Sequence, residues 1–331
     1  MTIVSAQPEA QKGNAAMYWS MAYKVSDALM LLTNGGALAR LAAQPQTAPA
    51  LADRLGWQAD PLATVLDVLV RAGVLERQDD TYQVPAATAA VLPLIVMESQ
   101  VRQWHAANQS LEKMVQQGVA ADPLSQIPGA SYLDNYQAAM AASARALALH
   151  LFRHGGLAKA RKVVDIGGAD GAVSVQLGQL MPVAAFAVVD RPPVAAHFQR
   201  RMATLAQPGR FRFVADDVTR PDALLAVAAD ADAVIISNLL HLLGARHIRA
   251  LLLALKEVLP SGCRVLVYDQ FIDPAQCDAA SMMVIDWVNL GSLFDLCDND
   301  MVALLETLGY ADAAARRFPL LPGALVGATI P

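Results

Sequence analysis

Residues 165–217 carry glycines and acids spaced to hold a ribose and an ammonium group. The segment VVDIG runs straight into GADGAVSVQLGQL, a pattern of strand, glycine turn and helix. Glycine suits such a turn because a side chain would keep the backbone away from a ligand. The spacing is not the G-x-G-x-x-G of dinucleotide enzymes. Gly167 is followed by Ala169 and Ala172 at the other two glycine positions; instead Asp165 lies two residues before Gly167, and Gly171 closes the turn. Asp190 ends the next apolar run, where a carboxylate can accept both ribose hydroxyls. Asp216 and Asp217 end the third, where an adenine edge would lie. An acid that closes a strand is most often a turn or cap residue, Asp216 included. Three such acids around one glycine turn fit a ribose and an amino-acid ammonium better than a pyrophosphate. His241, in SNLLHLLGARH, lies just past the fourth apolar run, above the same crevice. Imidazole ionises near neutrality, which suits a general base; the plainer reading is a satisfied histidine at a helix start.

A frame must hold these residues. From residue 162 apolar strands alternate with helices. Strands are predicted at 162–167, 184–190, 210–216, 232–238, 264–270 and 324–330, with helices clearest at 246–259 and 300–308, the latter capped by Asp300. Such alternation predicts a parallel, doubly wound sheet. Upstream the periods are helical. Residues 1–14 are polar and expected to fray. Tyr18, Met21, Val25, Leu29 and Leu32 mark a helix over 15–43. Thr47 caps PALADRLG, which stops at Gly56; PLATVLDVLVRAG follows, with Pro61 in its first turn and Gly73 at its end. A hairpin turns at Asp79-Asp80. This order is that of a winged helix-turn-helix. A long helix over 86–118, a loop over 120–129 and a helix over 133–154 complete the chain.

VVDIGGADG, AVVDRP, FVADD and ISNLLHLL, spaced as they are, resemble the S-adenosylmethionine-dependent O-methyltransferases of the plant caffeic-acid type and their bacterial natural-product relatives. The resemblance implies an α/β Rossmann-like methyltransferase domain behind an N-terminal, mostly helical winged-helix dimerisation domain. It implies S-adenosylmethionine as cofactor, with Gly167 and Gly171 beside its methionine part, Asp190 on its ribose and Asp217 near its adenine. Ala169 stands where the family commonly has glycine, which is tolerable at negative φ. Ser237 stands where many plant members carry a lysine near the cofactor. His241 matches the catalytic histidine. Asp269 and, without a gap, Asp298 fall where the family places two glutamates that orient it; the family's Gly-Gly-Lys/Arg-Glu-Arg run is replaced by GSLFDLCDND. The acceptor pocket is expected from Trp104, His105, Tyr136, Met140, Met283, Trp287 and Asn289, which suggest a flat, apolar acceptor, aromatic or heterocyclic. Such stripes are usually core.

The implied organisation is a dimerisation domain over 1–100, a helical linker over 101–158 that serves dimer and pocket, and a cofactor domain over 159–331. Bulk properties agree. Hydrophobic residues make up 55% and charged residues 17%, too apolar for disorder. The net charge of −5 disfavours a polyanionic partner. Residues 1–100 hold six Lys/Arg against nine Asp/Glu, so a winged helix there suits a protein partner rather than DNA. The expected partners are a small-molecule acceptor and a second copy of the chain, with no nucleic acid and no membrane. Cys263, Cys277 and Cys297 form no CxxC pair, and no metal site is expected. No secretory signal and no spanning segment are read, which points to the cytoplasm. Other readings stay open: a relative that demethylates, hydroxylates, decarboxylates or cyclises, a ligand-sensing regulator, or a catalytically dead homologue.

Overall fold

The computed structural model describes residues 15–121, 130–274, 279–292, 294–318 and 321–331. Cys277, residues 1–14 and most of the expected 120–129 loop lie outside them. The chain forms two compact units: Met1–Trp104 with Pro128–Ala142, and His105–Ile127 with Ser143–Pro331. The segment 101–158 is thus divided between them.

The first unit is helical with one small sheet. The expected helix over 15–43 is two helices, Ala15–Asn34 and Ala37–Ala43, because Gly36 takes a left-handed φ of 74°. Thr47 caps Ala48–Leu55 by accepting from the Ala50 N–H at 3.3 Å, and Gly56 ends that helix. Ala59–Arg71 follows, and Leu62, Leu66 and Leu69 bury its apolar face against Leu32, Leu38, Leu41 and Leu51. The hairpin is present as β2 (Glu76–Gln78) and β3 (Thr81–Gln83). It is joined by a two-residue strand too short to read in sequence, β1 (Gln46–Thr47), antiparallel to β3. The expected helix over 86–118 breaks into Ala86–Ala89, Leu92–Asn108 and Ser110–Gln117. Pro93 fits only the first turn of a helix, and Gln109 sits at φ 51°.

The second unit is a seven-stranded sheet: β4 (Lys162–Ile166), β5 (Ala185–Asp190), β6 (Phe211–Ala215), β7 (Ala233–Ser237), β8 (Arg264–Asp269), β9 (Ala311–Phe318) and β10 (Leu321–Thr329). Their order is β6-β5-β4-β7-β8-β10-β9. The first five are parallel, but β10 runs antiparallel to both β8 and β9. The sheet is therefore mixed, a correction to the all-parallel expectation. β9 escapes the sequence because ADAAARRF is alanine-rich and carries no β-branched residue. Both faces of the sheet are buried, alternating along each strand. Val164, Ile166, Val234 and Ile236 enter one cluster and Val163, Ala233 and Ile235 the other. The last helix, Asp298–Thr307, is capped by Cys297. Asp300 is its third residue, accepting from the Cys297 N–H at 3.0 Å, so it closes a capping box rather than forming the cap itself.

Candidate functional site

Strand order reverses at β4. The chain passes from β4 to β5 and β6 on one side, then returns to place β7 on the other. Connections then leave a crevice beyond the carboxyl ends of β4 and β7, where open α/β sheets bind ligands. The glycine turn leaves β4 and the His241 loop leaves β7. They lie side by side: a Cβ on Gly167 would meet the Leu239 side chain at 3.0 Å. Asp190 ends β5 and Asp269 ends β8, so four neighbouring strands deliver the four groups.

The turn is tightly wound. Gly167, Ala169 and Gly171 take φ of 71°, 52° and 81°. Ala169 is thus left-handed, contrary to the negative φ expected of it, a strain of about 1–2 kcal/mol for a residue with a Cβ. Its N–H donates to Asp190 Oδ2 at 2.9 Å, which fixes that geometry, while Asp190 Oδ1 accepts from the Arg191 N–H at 2.7 Å. Gly168 admits no side chain, since a Cβ would come within 2.7 Å of the Asp165 carboxyl carbon. Asp170, the next residue, accepts from the Ala172 N–H at 3.0 Å and from Arg201 at 2.5 Å, which ties the turn to the helix Ala195–Met202.

Charge is buried here at a cost. Asp165 is fully buried under the turn; its Oδ2 accepts from the Ser174 hydroxyl at 2.7 Å, and its Oδ1 has no partner among the described residues. Burial pushes its pKa up to about 6. The Ser174 hydrogen bond opposes the shift, and Asp190 and Asp170 add to it. Burial also raises Asp190, partly offset by the Arg191 and Ala169 N–H groups. The third pair of acids is engaged locally. Asp216 Oδ2 accepts from the N–H groups of Asp222 and Leu224, capping the helix Ala223–Ala228. Asp217 Oδ1 accepts from the N–H and hydroxyl of Thr219, which lowers its pKa. Ser237 closes β7 and is buried.

The histidine is held by a carboxylate and by aromatic rings. His241 lies in the single turn Leu240–Leu242. Its Nδ1 is 2.7 Å from Asp269 Oδ1, which also accepts from the Gln270 N–H at 2.8 Å. Asp269 Oδ2 accepts from the N–H groups of Leu240 and His241 at 2.9 and 3.3 Å. A carboxylate accepts only, so Nδ1 carries the proton and Nε2 is left with its lone pair. The Trp287 ring stacks on the imidazole at 5.3 Å and 28°, and Phe294 meets it edge-on at 6.4 Å and 78°.

Asp298 is not the second orienting acid. It is the first residue of its helix, and its Oδ2 accepts from Arg317 Nε at 2.8 Å. Arg317 also donates to the carbonyls of Phe271 and Ile272. The expected pocket residues divide between the two units. Trp104, Tyr136 and Met140 fall in the first unit, and His105, Met283, Trp287 and Asn289 in the second. Trp287 is only 1% exposed, so it backs the histidine rather than lining an open surface. Met283 packs on the sheet core, burial lowers the pKa of His105, and the buried Asn289 accepts from the Ala121 N–H through its backbone. Sequence reading missed Ser174, Arg201, Phe294 and Arg317, whose partners Asp165, Asp170, His241 and Asp298 no local motif announces. Among the described residues no three metal-binding side chains cluster, no helix is long and apolar enough to cross a membrane, and Cys263 and Cys297 are free thiols.

Comparison with known proteins places this geometry in context. Residues 129–309 match the model of the O-methyltransferase domain family. The chain is similar to the tetracenomycin polyketide synthesis 8-O-methyl transferase of Streptomyces glaucescens, 33% identical over 138 residues, which span 41% of this chain and only 37% of that protein. It is 25% identical to the 3-hydroxy-5-methyl-1-naphthoate 3-O-methyltransferase of Streptomyces sahachiroi, over 72% of this chain and 71% of that one. It is 28% identical to an N,N-dimethyltransferase of Streptomyces rimosus, over 83% of each. In structure it is similar to a methyltransferase of calicheamicin biosynthesis in its S-adenosylhomocysteine-bound form, with TM-score 0.74 and 21% identity, covering 98% of this chain and 100% of that one. At that identity the likeness shows the fold.

The buried acid makes stability depend on pH. With its folded pKa raised, Asp165 holds a proton that the unfolded chain has released between pH about 4 and about 6, so stability falls as pH rises through that window. Asp165→Asn removes this dependence. In urea titrations at pH 4.5 and 7, the parent should lose up to about 2 kcal/mol more than the variant. Equal losses would clear Asp165 as the source.

Proposed function

This chain belongs to the O-methyltransferase domain family, and from that premise we propose that it transfers the methyl group of S-adenosylmethionine to a hydroxyl of a flat, polyketide-like aromatic acceptor, with His241 as the base. The observation that carries this reading is the His241–Asp269 pair at the carboxyl ends of β7 and β8, beside the glycine turn. S-adenosylmethionine, when bound, supplies a methyl group already activated on a sulfonium. One feature of the crevice suits that cation: Asp165 and Asp190 carry a burial penalty that nearby positive charge offsets. Gly167, Gly171, Asp190, Asp217 and Ser237 would hold the cofactor, and Asp165 would act from beneath the turn. Asp216 serves its helix instead.

The protein then has two tasks, to align the acceptor and to take its proton. Asp269 fixes the imidazole with Nε2 as acceptor and favours the imidazolium that forms. An aromatic hydroxyl has a proton that an imidazole base can take as the methyl group arrives, and the naphthoate O-methyltransferase it resembles is named for such an acceptor. An amine, as in the N,N-dimethyltransferase, needs none.

We assign the first unit to a winged-helix dimerisation domain. Its hairpin of β2 and β3 follows the helices Ala48–Leu55 and Ala59–Arg71, and β1, which precedes them, completes the sheet. The helix Ala15–Asn34 exposes Met17 (55%), Trp19 (47%), Met21 and Tyr23 around its circumference, apolar surface that a second copy of the chain would cover. Free thiols at Cys263 and Cys297 suit a reducing cytoplasm.

Three outcomes follow from this reading. Asp190→Ala should weaken S-adenosylmethionine binding by roughly 1.5–3 kcal/mol by calorimetry; unchanged affinity in a folded variant would remove Asp190 from the site. His241→Ala should lower turnover by about 10²–10⁴ with cofactor affinity nearly intact. A loss of tenfold or less would instead indicate an acceptor that needs no base. Light scattering should give the mass of a dimer, and a monomer at micromolar concentration would contradict the assignment of the first unit.

A further inference from the structure

The histidine has an acid on one side and an indole on another. Among the described residues His241 meets a single carboxylate, Asp269, at the end of β8. The acid that could have been the second, Asp298, is held by Arg317. The helix Ala279–Leu290 presents Trp287 instead, with its ring nearly parallel to the imidazole at 5.3 Å. Phe294 stands perpendicular to both rings, 86° from Trp287 and 78° from His241. Phe271 packs on Phe294 at 5.9 Å, and its carbonyl accepts from Arg317. The rings therefore form a closed stack whose far end is clamped by the Arg317–Asp298 pair. Trp287 and Phe271 are among the most deeply buried large side chains of the chain.

Resting on the reading of His241 as the base, we propose that Trp287 is a positioning residue for it: the indole face, rather than a second carboxylate, keeps the imidazole in the plane where Nδ1 donates to Asp269 and Nε2 faces outward. The physics is specific. One hydrogen bond leaves a ring free to rotate about the bond axis, and a flat neighbour at van der Waals distance removes that freedom. An aromatic face also attracts the imidazolium formed when the base takes a proton. An acid at that position would confer both effects by charge; here they come from a ring. The sequence places Trp287 in an apolar helix, where it reads as core or pocket, and the pairing with His241 becomes visible only in the fold.

The test reads the imidazole directly and needs no acceptor. Histidine is labelled with ¹⁵N in the full chain, the His241 ring is assigned by its absence in His241→Ala, and its tautomer is recorded at alkaline pH in the parent, Trp287→Phe, Trp287→Leu and Asp269→Asn. The parent and Trp287→Phe should show the Nδ1-protonated form alone. Trp287→Leu should show both tautomers exchanging, as Asp269→Asn should. Trp287→Phe keeps the flat face, so it separates positioning from mere loss of a large side chain, and a purely structural tryptophan would lower the melting temperature without changing the tautomer. A single Nδ1-protonated form in a folded Trp287→Leu protein overturns the proposal, and so does a parent without that form. Should Trp287→Leu fail to fold, Trp287→Phe and Trp287→Met decide: retention by Phe with mixing in Met supports the proposal, and identical spectra overturn it. On an acceptor that the parent methylates, Trp287→Leu should lower kcat about tenfold and leave the KM for S-adenosylmethionine unchanged. A fully active His241→Ala would defeat the base reading alone, since the tautomer result stands apart from turnover.

Discussion

The Asp269 carboxylate, buried where β8 ends, accepts four times: from His241 Nδ1 and from the N–H groups of Gln270, Leu240 and His241. Three of those donors belong to the turn that follows β7, so one side chain ties down both the backbone that carries the histidine and one nitrogen of its ring. Removing the acid would leave buried N–H groups without partners, which is costlier than losing one hydrogen bond. Parallel pairing of β7 with β8 brings the two loops together, because both strands must end at the same edge of the sheet. The antiparallel hairpin of β9 and β10 covers the outer side of β8 and supplies Arg317, which reaches back to the loop after Asp269.

The cofactor half of the crevice is governed by the opposite problem, negative charge with too few partners. Asp165 and Asp190 are buried and disfavoured as anions, and Ala169 sits in a strained conformation held by the Asp190 hydrogen bond. Strain and unpaired charge in a native fold are commonly kept where a ligand relieves them. A cation arriving in the crevice lowers the energy of both acids, so affinity for it is built into the fold before any contact is made. The two halves meet at Leu239, which packs beside Gly167 two residues before the histidine.

Much of this was legible in the sequence because it rests on period and punctuation. Six of the seven strands of the large sheet, the glycine turn, the cap at Thr47 and the hairpin at Asp79 follow from local rules, and each is where those rules put it. What stayed hidden depends on partners far away in the chain. β9 is a strand because β10 lies beside it, not because alanines favour strands. The long helices over 15–43 and 86–118 broke where a backbone turned left-handed, at Gly36 and Gln109, and only the first of these carries a residue that announces it. Asp298 was placed by counting along the chain, which cannot show that Arg317 would claim it across the sheet. Trp287 looked like a pocket residue for the same reason. The acids showed the reverse: Asp216, which alone reads as a cap, is one.

The destination of the methyl group decides between transfer and any other chemistry. The protein should be incubated with S-adenosylmethionine labelled in the methyl group and with hydroxylated aromatic acids that include 3-hydroxy-5-methyl-1-naphthoate. Label should appear on an acceptor oxygen in one-to-one ratio with S-adenosylhomocysteine. An acceptor altered without label, with S-adenosylmethionine recovered intact, would contradict methyl transfer.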